Sequence, residues 1–291
     1  MFKRKLASES PGGGRRGLWA VVLTALATVA GVFAPSAPPA QALGVYVLQA
    51  QGLDSCAAPT TSEMQKFWTG GSSWWYWGIY IGGSARSCSQ PNLTASWVTT
   101  VTSGGMAWRL LPIWVGPQDP CQKYGASIST NTTTAYAQGQ SEAAAAYRAA
   151  LGLGLPSNTV LVYDLEARYT QTATCAAAAK SFISGWVAYL HVSPRQTAGV
   201  YTSACLGNIA QYAGIANVPD FIWAGDWSNV KSTSTLSCVG NSLWVHSQRH
   251  KQYRGNYNLS WNGIAKYVDL DCANAPVDGS SLVNLSGSGC A

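Results

Sequence analysis

Short apolar runs alternate with amphipathic stretches along the chain after residue 43. The dense run Val160-Leu161-Val162-Tyr163 is typical of a strand buried on both faces. Leu93, Trp97 and Val101, spaced by four, indicate a helix. The pattern predicts eight strands, at 44–54, 74–81, 108–115, 159–166, 199–202, 221–224, 243–246 and 267–270. It predicts helices at 59–68, 92–102, 133–151, 174–190 and 208–212.

Strands that alternate with helices predict parallel βα units. Their number, and the length of about 250 residues, favour a (β/α)₈ TIM-like barrel built from residues 43–291 as a single domain. The last two connections are poor in helical pattern, so we expect the barrel to be irregular there. A doubly wound open sheet is the structural alternative. It is less favoured because no glycine-rich nucleotide loop follows the first strand.

Residues 1–42 have the features of a signal peptide. A basic leader precedes an apolar run from Gly17 to Ala34, and Ala40-Gln41-Ala42 has the small-x-small form of a cleavage site. We therefore expect cleavage after Ala42 and secretion, with no membrane insertion of the mature chain. Arg15-Arg16 also fits a twin-arginine signal. An uncleaved membrane anchor is the alternative, since the apolar run is long enough for one span.

Charge and cysteine content narrow the function classes. The leader carries a net +4 of the chain's +6, so the mature part is only weakly basic. This excludes a nucleic-acid binder, which needs a basic patch or stripe. All eight cysteines follow the leader, and their even number in an exported chain predicts disulfides, with the pairing left open. With no CxxC spacing and three scattered histidines, we predict neither a metal site nor a cofactor.

Acidic residues gather at or near the predicted carboxyl ends of strands, where α/β barrels form active sites. The six are Asp54, Asp164, Glu166, Asp226, Asp269 and Asp271. The spacing of Asp164 and Glu166 puts both side chains on one face of a strand. Their repulsion should raise the pKa of one carboxyl group, as glycoside hydrolysis requires of its acid. The alternative is a pair of salt-bridged or helix-capping acids.

Other residues near the strand ends are candidates for binding substrate. Asp54 and Asp226 can orient a sugar hydroxyl or a water, although capping and turn roles explain them equally well. Of Asp269 and Asp271, at the last predicted strand, we expect Asp271 to face the mouth of the barrel. Aromatic rings stack on sugar faces, but most tryptophans should lie in the core. The aromatic candidates are Tyr201, Trp114, Trp223 and Trp227.

The ordered motifs of the mature chain resemble a known family. They are Gly52-Leu53-Asp54-Ser55-Cys56-Ala57-Ala58-Pro59, Gly78-Ile79-Tyr80-Ile81-Gly82-Gly83, 111–118 (LPIWVGPQ), Val162-Tyr163-Asp164-Leu165-Glu166, 199–202 (GVYT) and 222–224 (IWA). This series resembles the actinobacterial glycoside-hydrolase-like domain. Gln252-Tyr253 followed by Val268-Asp269-Leu270-Asp271 is similar to the closing segment of the family 25 lysozymes.

The resemblance implies a barrel related to cell-wall muramidases. It implies Glu166 as the general acid, with Asp164 and Asp54 as its partners, and it adds Gln252 to the substrate-binding candidates. The leading hypothesis is a secreted glycosidase acting on peptidoglycan or a related polysaccharide, in which Asp164 supports positive charge or orients the substrate. The alternatives are a non-catalytic glycan-binding protein of the cell envelope and a disulfide-rich structural protein.

Overall fold

The computed structural model describes residues 43–103, 105–122, 125–166, 172–192, 194–280 and 290. The predicted signal peptide lies outside the described residues. The strands are β1 (Gly44–Asp54), β2 (Trp74–Gly82), β3 (Arg109–Trp114), β4 (Val160–Asp164), β5 (Thr197–Ser203), β6 (Phe221–Gly225), β7 (Arg249–Trp261) and β8 (Ile264–Gly279). The helices are α1 (Thr61–Thr69), α2 (Ala95–Thr102), α3 (Thr132–Gly152) and α4 (Ala173–Leu190), with a short 3₁₀ helix at Ile209–Gly214.

The eight strands form one closed ring in chain order. Each strand from β1 to β6 runs parallel to the next, but β8 runs antiparallel to both β7 and β1. Closure of the ring rules out the open doubly wound sheet. The fully parallel (β/α)₈ arrangement is also not what the chain adopts, because its last strand is reversed. The irregularity expected in the last units is therefore confirmed.

The predicted seventh strand is wrong. Leu243–His246 form turns, and Trp244 adopts a left-handed backbone with φ 51°. The residues between β6 and β7, 226–248, contain no helix. β7 and β8 are instead joined by a tight hairpin that lies along α1, where Lys266 pairs with Glu63 at 3.0 Å and Asn262 Nδ2 donates to the Lys66 carbonyl at 2.8 Å. These contacts anchor the hairpin to α1.

The helices begin where short polar side chains accept hydrogen bonds from free backbone N–H groups. Thr60 forms a capping box with Glu63, while Thr94, Asn131 and Thr172 cap α2, α3 and α4. α3 and α4 pack closely because each presents a glycine to the other's backbone. A Cβ atom on Gly139 or Gly185 would lie 2.0–2.1 Å from a carbonyl oxygen of the facing helix.

Two apolar layers follow from the alternation of side chains along each strand. One fills the ring and contains Leu111, Ile113, Val160, Val162 and Trp223. The other lies between the ring and its outer helices and contains Leu110, Leu161 and Trp186. The interior is thus a packed core below the strand ends, which leaves the carboxyl ends of the strands as the open face.

Four disulfides use all eight cysteines: Cys56–Cys88, Cys121–Cys175, Cys205–Cys238 and Cys272–Cys290. The predicted stapling by disulfides is confirmed. In the described part of the chain, the helices are too short or too polar to cross a membrane. Within the same residues, no three His, Cys, Asp or Glu side chains are arranged so that they could hold one metal ion.

A buried carboxyl group at the amino ends of β3 and β4 makes stability depend on pH. Asp278 is inaccessible to solvent and accepts hydrogen bonds from Thr159 Oγ1 at 2.5 Å and from the Val160 backbone N–H at 3.2 Å. Burial outweighs these bonds and raises its pKa to about 7. Between pH 4 and 7, roughly, the folded state holds a proton that the unfolded state releases, so the free energy of unfolding falls as pH rises.

We expect Asp278→Asn to reduce the slope of the free energy of unfolding against pH by at most about 1.4 kcal/mol per pH unit. Urea unfolding over this range, compared between wild type and variant, measures the difference. His250, whose pKa burial lowers to about 4, contributes with the opposite sign. Because both proteins share His250, it cancels in the comparison. Equal slopes would show that Asp278 titrates normally.

Candidate functional site

Four carboxylates meet in one pocket at the carboxyl ends of the parallel strands. Asp54 ends β1, Asp164 ends β4, and Glu166 follows two residues later. Asp269 comes from β8, which pairs it directly with Asp54. The pocket has a volume of about 300 Å³, and its lining also includes Tyr80, Arg86 and Gln118. A groove of about 380 Å³ continues from Asp54 and Asp269 along the β7–β8 hairpin, past Asn256 and Tyr267.

Asp54 is held rigidly at the pocket floor. Its Oδ1 accepts from the Tyr80 hydroxyl and its Oδ2 from Gln252 Nε2, both at 2.9 Å. Gly78, on β2, makes room for it, because a Cβ atom there would lie 2.7 Å from the Asp54 Cβ. Burial and the charge of Asp269 raise the pKa of Asp54 to about 7, although the hydrogen bonds oppose this rise. Asp54 is therefore a buried acid able to exchange a proton near neutral pH.

Asp164 and Glu166 differ in exposure. β4 ends at Asp164, which is 5 % exposed, whereas Glu166 is exposed in the following loop. Gln118 holds this segment. Its Nε2 donates to the Asp164 carbonyl at 2.9 Å, and its Oε1 accepts from the Glu166 backbone N–H at 2.8 Å. Both side chains line the pocket, and the raised pKa expected for one member of this pair stays a prediction.

The phenol of Tyr201 reports how closely the acids converge. Burial raises its pKa, and the charges of Glu166, Asp164, Asp54 and Asp269 raise it further. Its hydroxyl donates to Gln252 Oε1 at 2.9 Å. All four carboxylates therefore act on one side chain at the centre of the ring mouth.

Gln252 connects this centre to the surface. Its Nε2 donates to Asp54 at 2.9 Å and to Asp269 at 3.2 Å, while its Oε1 accepts from Tyr201 and from Trp227 Nε1 at 2.8 Å. The amide thus uses both its donors and both its acceptor sites. Trp227 is 55 % exposed, so one end of this network reaches solvent.

The prediction of which β8 acid, Asp269 or Asp271, faces the mouth of the barrel is wrong. We expected Asp271 to face the mouth, but Asp269 lines the pocket and Asp271 is inaccessible to solvent. The reason is the reversed direction of β8, which places its earlier residues nearer the rim. The Asp271 Oδ1 accepts from Trp223 Nε1 at 3.3 Å.

Three other predicted substrate-binding residues lie outside the lining of the pocket. Asp226 pairs with buried Lys251 at 3.1 Å and accepts from the Ser237 backbone and hydroxyl. Trp223 is 1 % exposed inside the ring. Trp114 faces the outer layer, where its Nε1 donates to Glu142 of α3 at 2.6 Å. Among the tryptophans predicted to stack on sugars, Trp227 is the one that combines exposure with a link to the site.

Tyr80, Arg86 and Gln118 line the pocket but are not among the candidates that the sequence predicts. The sequence could have indicated Tyr80, because Gly78 and Tyr80 are two residues apart on β2 and therefore lie on the same inner face, beside Asp54. Gln118 and Arg86 lie in loops, where periodicity carries no information about direction. The resulting site has acids of different exposure and proton affinity around one polar pocket, which suits general acid–base chemistry.

The comparisons with known proteins agree with this architecture. The model of a family described as "Rv2525c-like, glycoside hydrolase-like domain" matches residues 66–273, which confirms the predicted resemblance. No curated protein matches the sequence. An uncharacterized B. stearothermophilus protein of known structure is 20 % identical, with a TM-score of 0.51, over 77 % of this chain and 95 % of that one. This likeness shows the fold.

Two other solved structures are more distant. The Mycobacterium tuberculosis Tat-secreted protein Rv2525c, in complex with L-tartrate, is 13 % identical over 78 % of this chain and 96 % of that one, with a TM-score of 0.49. The modular autolysin LytC from Streptococcus pneumoniae is 11 % identical over 76 % of this chain and 46 % of that one, also with a TM-score of 0.49.

Proposed function

The chain belongs to the Rv2525c-like, glycoside hydrolase-like domain family, and on that premise we propose that it is a secreted glycosidase of cell-wall polysaccharide. The observation that carries the proposal is the meeting of Asp54, Asp164, Glu166 and Asp269 in one open pocket. Two of these acids, Asp54 and Asp269, are held by hydrogen bonds from neutral donors and not by cations.

We assign Glu166 as the general acid. Its exposed side chain can reach a glycosidic oxygen, and Gln118 fixes its backbone. Protonation of that oxygen lets the bond to the anomeric carbon break, with the electron pair leaving on the oxygen. Asp164, buried beside it, supports the positive charge that develops on the sugar ring or orients a 2-acetamido group that attacks in its place.

Asp54 and Asp269 complete the site on the opposite wall. Tyr80 and Gln252 fix the Asp54 carboxyl group at the pocket floor. Its pKa of about 7 lets it take a proton from an attacking water or substrate hydroxyl near neutral pH. Asp269 adds negative charge facing the same space and is fixed by the Asn256 backbone N–H at 2.6 Å.

We propose the bacterial cell wall as the place of action and peptidoglycan as the substrate. Four disulfides fit an oxidising compartment outside the cytosol. The predicted signal peptide and the similarity of the closing segment to family 25 lysozymes point the same way. A muramidase cleaves next to muramic acid, so the reducing ends of its products identify the bond it cuts.

The first test incubates the mature protein with purified peptidoglycan and with chitin oligomers, and it measures new reducing ends and glycan binding in parallel. We expect new reducing ends from peptidoglycan, at a rate that depends on enzyme concentration. Binding without any release would contradict the hydrolase and favour the non-catalytic glycan-binding protein. Neither binding nor release would contradict both and leave the structural protein.

The exposed indole of Trp227 favours glycan binding, whether the protein is a glycosidase or a non-catalytic glycan-binding protein. Its ring packs against the Gly255 backbone and its Nε1 is fixed on Gln252, so one face stays available to a sugar. We expect Trp227→Ala to weaken glycan binding about tenfold, which corresponds to about 1.4 kcal/mol. Calorimetric titration with peptidoglycan fragments measures this loss.

Trp227→Phe is the matched control, because it keeps an aromatic face but loses the N–H donor to Gln252. We expect it to retain most of the affinity that the alanine variant loses. Equal affinities of Trp227→Ala and wild type would show that this ring is not part of the binding surface.

A further inference from the structure

Asp54 and Asp271 differ in the hydrogen bonds that each receives. Asp54 accepts from Tyr80 and from Gln252, and an amide N–H can only donate, so Asp54 is arranged as an acceptor. Among the described residues, Asp271 accepts from Trp223 alone, at the long distance of 3.3 Å. Its Oδ2 receives no hydrogen bond from the described residues, although the two carboxyl groups lie within hydrogen-bonding reach. An ionised Asp271 would thus be buried with little to stabilise its charge.

Among the described residues, no cation pairs with Asp54 or Asp271, because Arg86, which lines the same pocket, donates to the Tyr80 carbonyl at 3.3 Å. The titratable groups facing the pair are Asp269, the phenols Tyr76, Tyr80, Tyr201 and Tyr253, and, one layer below, His250. Burial raises the pKa of each phenol and lowers that of His250 to about 4, so these side chains are neutral at neutral pH. The neighbouring Lys251 is directed to Asp226.

We propose that Asp271 is a positioning residue that stays protonated and donates a hydrogen bond to Asp54, which fixes Asp54 as the ionisable group of the pair. The arrangement places a neutral acid beneath a carboxylate, so the two groups share one proton instead of repelling each other. Burial and the charges of Asp54 and Asp269 raise the pKa of Asp271 well above its ordinary value, which agrees with this assignment.

The consequence for chemistry rests on the proposed function. Asp54 faces the pocket, whereas Asp271 is sealed from it. A donor beneath Asp54 stabilises its anion and limits how far burial raises its pKa. Asp271 would therefore set the pH at which Asp54 begins to accept protons from the pocket, without touching the substrate.

Carboxyl ¹³C NMR of the mature protein tests the proton assignment without any need for turnover. We expect the Asp271 signal, assigned by its loss in Asp271→Asn, to keep the chemical shift of a protonated acid at about pH 7, while the Asp54 signal titrates. An Asp271 shift typical of a carboxylate at this pH would overturn the proposal. Failure of the glycosidase assignment would leave this result unaffected.

The pKa of Asp54 in two variants of Asp271 distinguishes a protonated Asp271 from an ionised Asp271. Asparagine mimics the neutral acid and keeps a donor, so Asp271→Asn should change the pKa of Asp54 by less than about half a unit. Asp271→Leu loses the donor and should raise that pKa by about one unit. A fall of about one unit or more in Asp271→Asn would mean that a negative charge had been removed, which contradicts the proposal. Should the leucine variant not fold, the wild-type and asparagine titrations decide the question.

Discussion

Glu166→Gln is expected to lower the rate of peptidoglycan hydrolysis by roughly 10²–10⁴-fold, the usual contribution of a general acid. Glutamine keeps the shape of the side chain but has no acidic proton to give to the leaving oxygen. The backbone hydrogen bond from Glu166 N–H to Gln118 is unaffected, so the loop should keep its position. Release of reducing ends per hour at equal protein concentrations measures the loss.

The matched control is Glu63→Gln. Glu63 lies at the start of α1, outside the lining of the pocket, and a glutamine can replace it in the capping box. We expect this control to keep the wild-type rate. A further check uses aryl glycosides with acidic phenol leaving groups, which need little protonation, so Glu166→Gln should lose much less activity on them. A variant that retains more than about half of the wild-type rate on peptidoglycan would contradict the role of Glu166 as general acid.

Asp226→Asn is expected to destabilise the fold by roughly 3–5 kcal/mol, because it leaves the charge of Lys251 buried without its partner. The two side chains are only 6 % and 2 % exposed. Although burial alone would raise the pKa of Asp226, hydrogen bonds from Ser237 and Lys251 hold it below its ordinary value. Without Asp226, Lys251 Nζ keeps its bond to the Thr235 carbonyl at 3.4 Å, which is too long to replace an ion pair.

The double variant Asp226→Asn with Lys251→Met tests the cause of this loss. It removes the unpaired charge and keeps an oxygen that accepts from the Ser237 N–H, so it should be more stable than Asp226→Asn alone. Urea unfolding of the wild type, Asp226→Asn, Lys251→Met and the double variant gives the coupling energy between Asp226 and Lys251. If Asp226→Asn instead cost less than about 1 kcal/mol and weakened glycan binding, Asp226 would return to the substrate-binding residues.

The first six strands could be predicted because their apolar runs fill the ring and its outer layer. β7 could not, since its start, Arg249 to Gln252, reads as a polar loop. Contacts distant in sequence make these polar residues suitable for burial: His250 lies beside Tyr76, Lys251 pairs with Asp226, and Gln252 joins Asp54. A pattern of hydrophobicity does not reveal such partners.

The candidate site was predicted in part for the same reason. The sequence points to Asp54, Asp164 and Glu166 because they lie at or just after the ends of buried strands. The sequence favours Asp271 over Asp269 only if the last strand runs parallel to the others; because β8 is reversed, Asp269 lies at the rim. Asp226 follows a buried strand, as Glu166 does, so the sequence alone suggests a site acid. The pairing of β6 with β7 brings Lys251 next to it, and the sequence does not reveal this pairing.

Digestion of purified peptidoglycan in H₂¹⁸O, followed by mass spectrometry of the products, tests the central claim most directly. We expect the wild type to release muramic acid reducing ends that carry one ¹⁸O atom at the anomeric carbon, and we expect Glu166→Gln to release few or none. The absence of ¹⁸O-labelled reducing ends in the wild-type digest, or their equal release by Glu166→Gln, would contradict the assignment of this pocket as a glycosidase site.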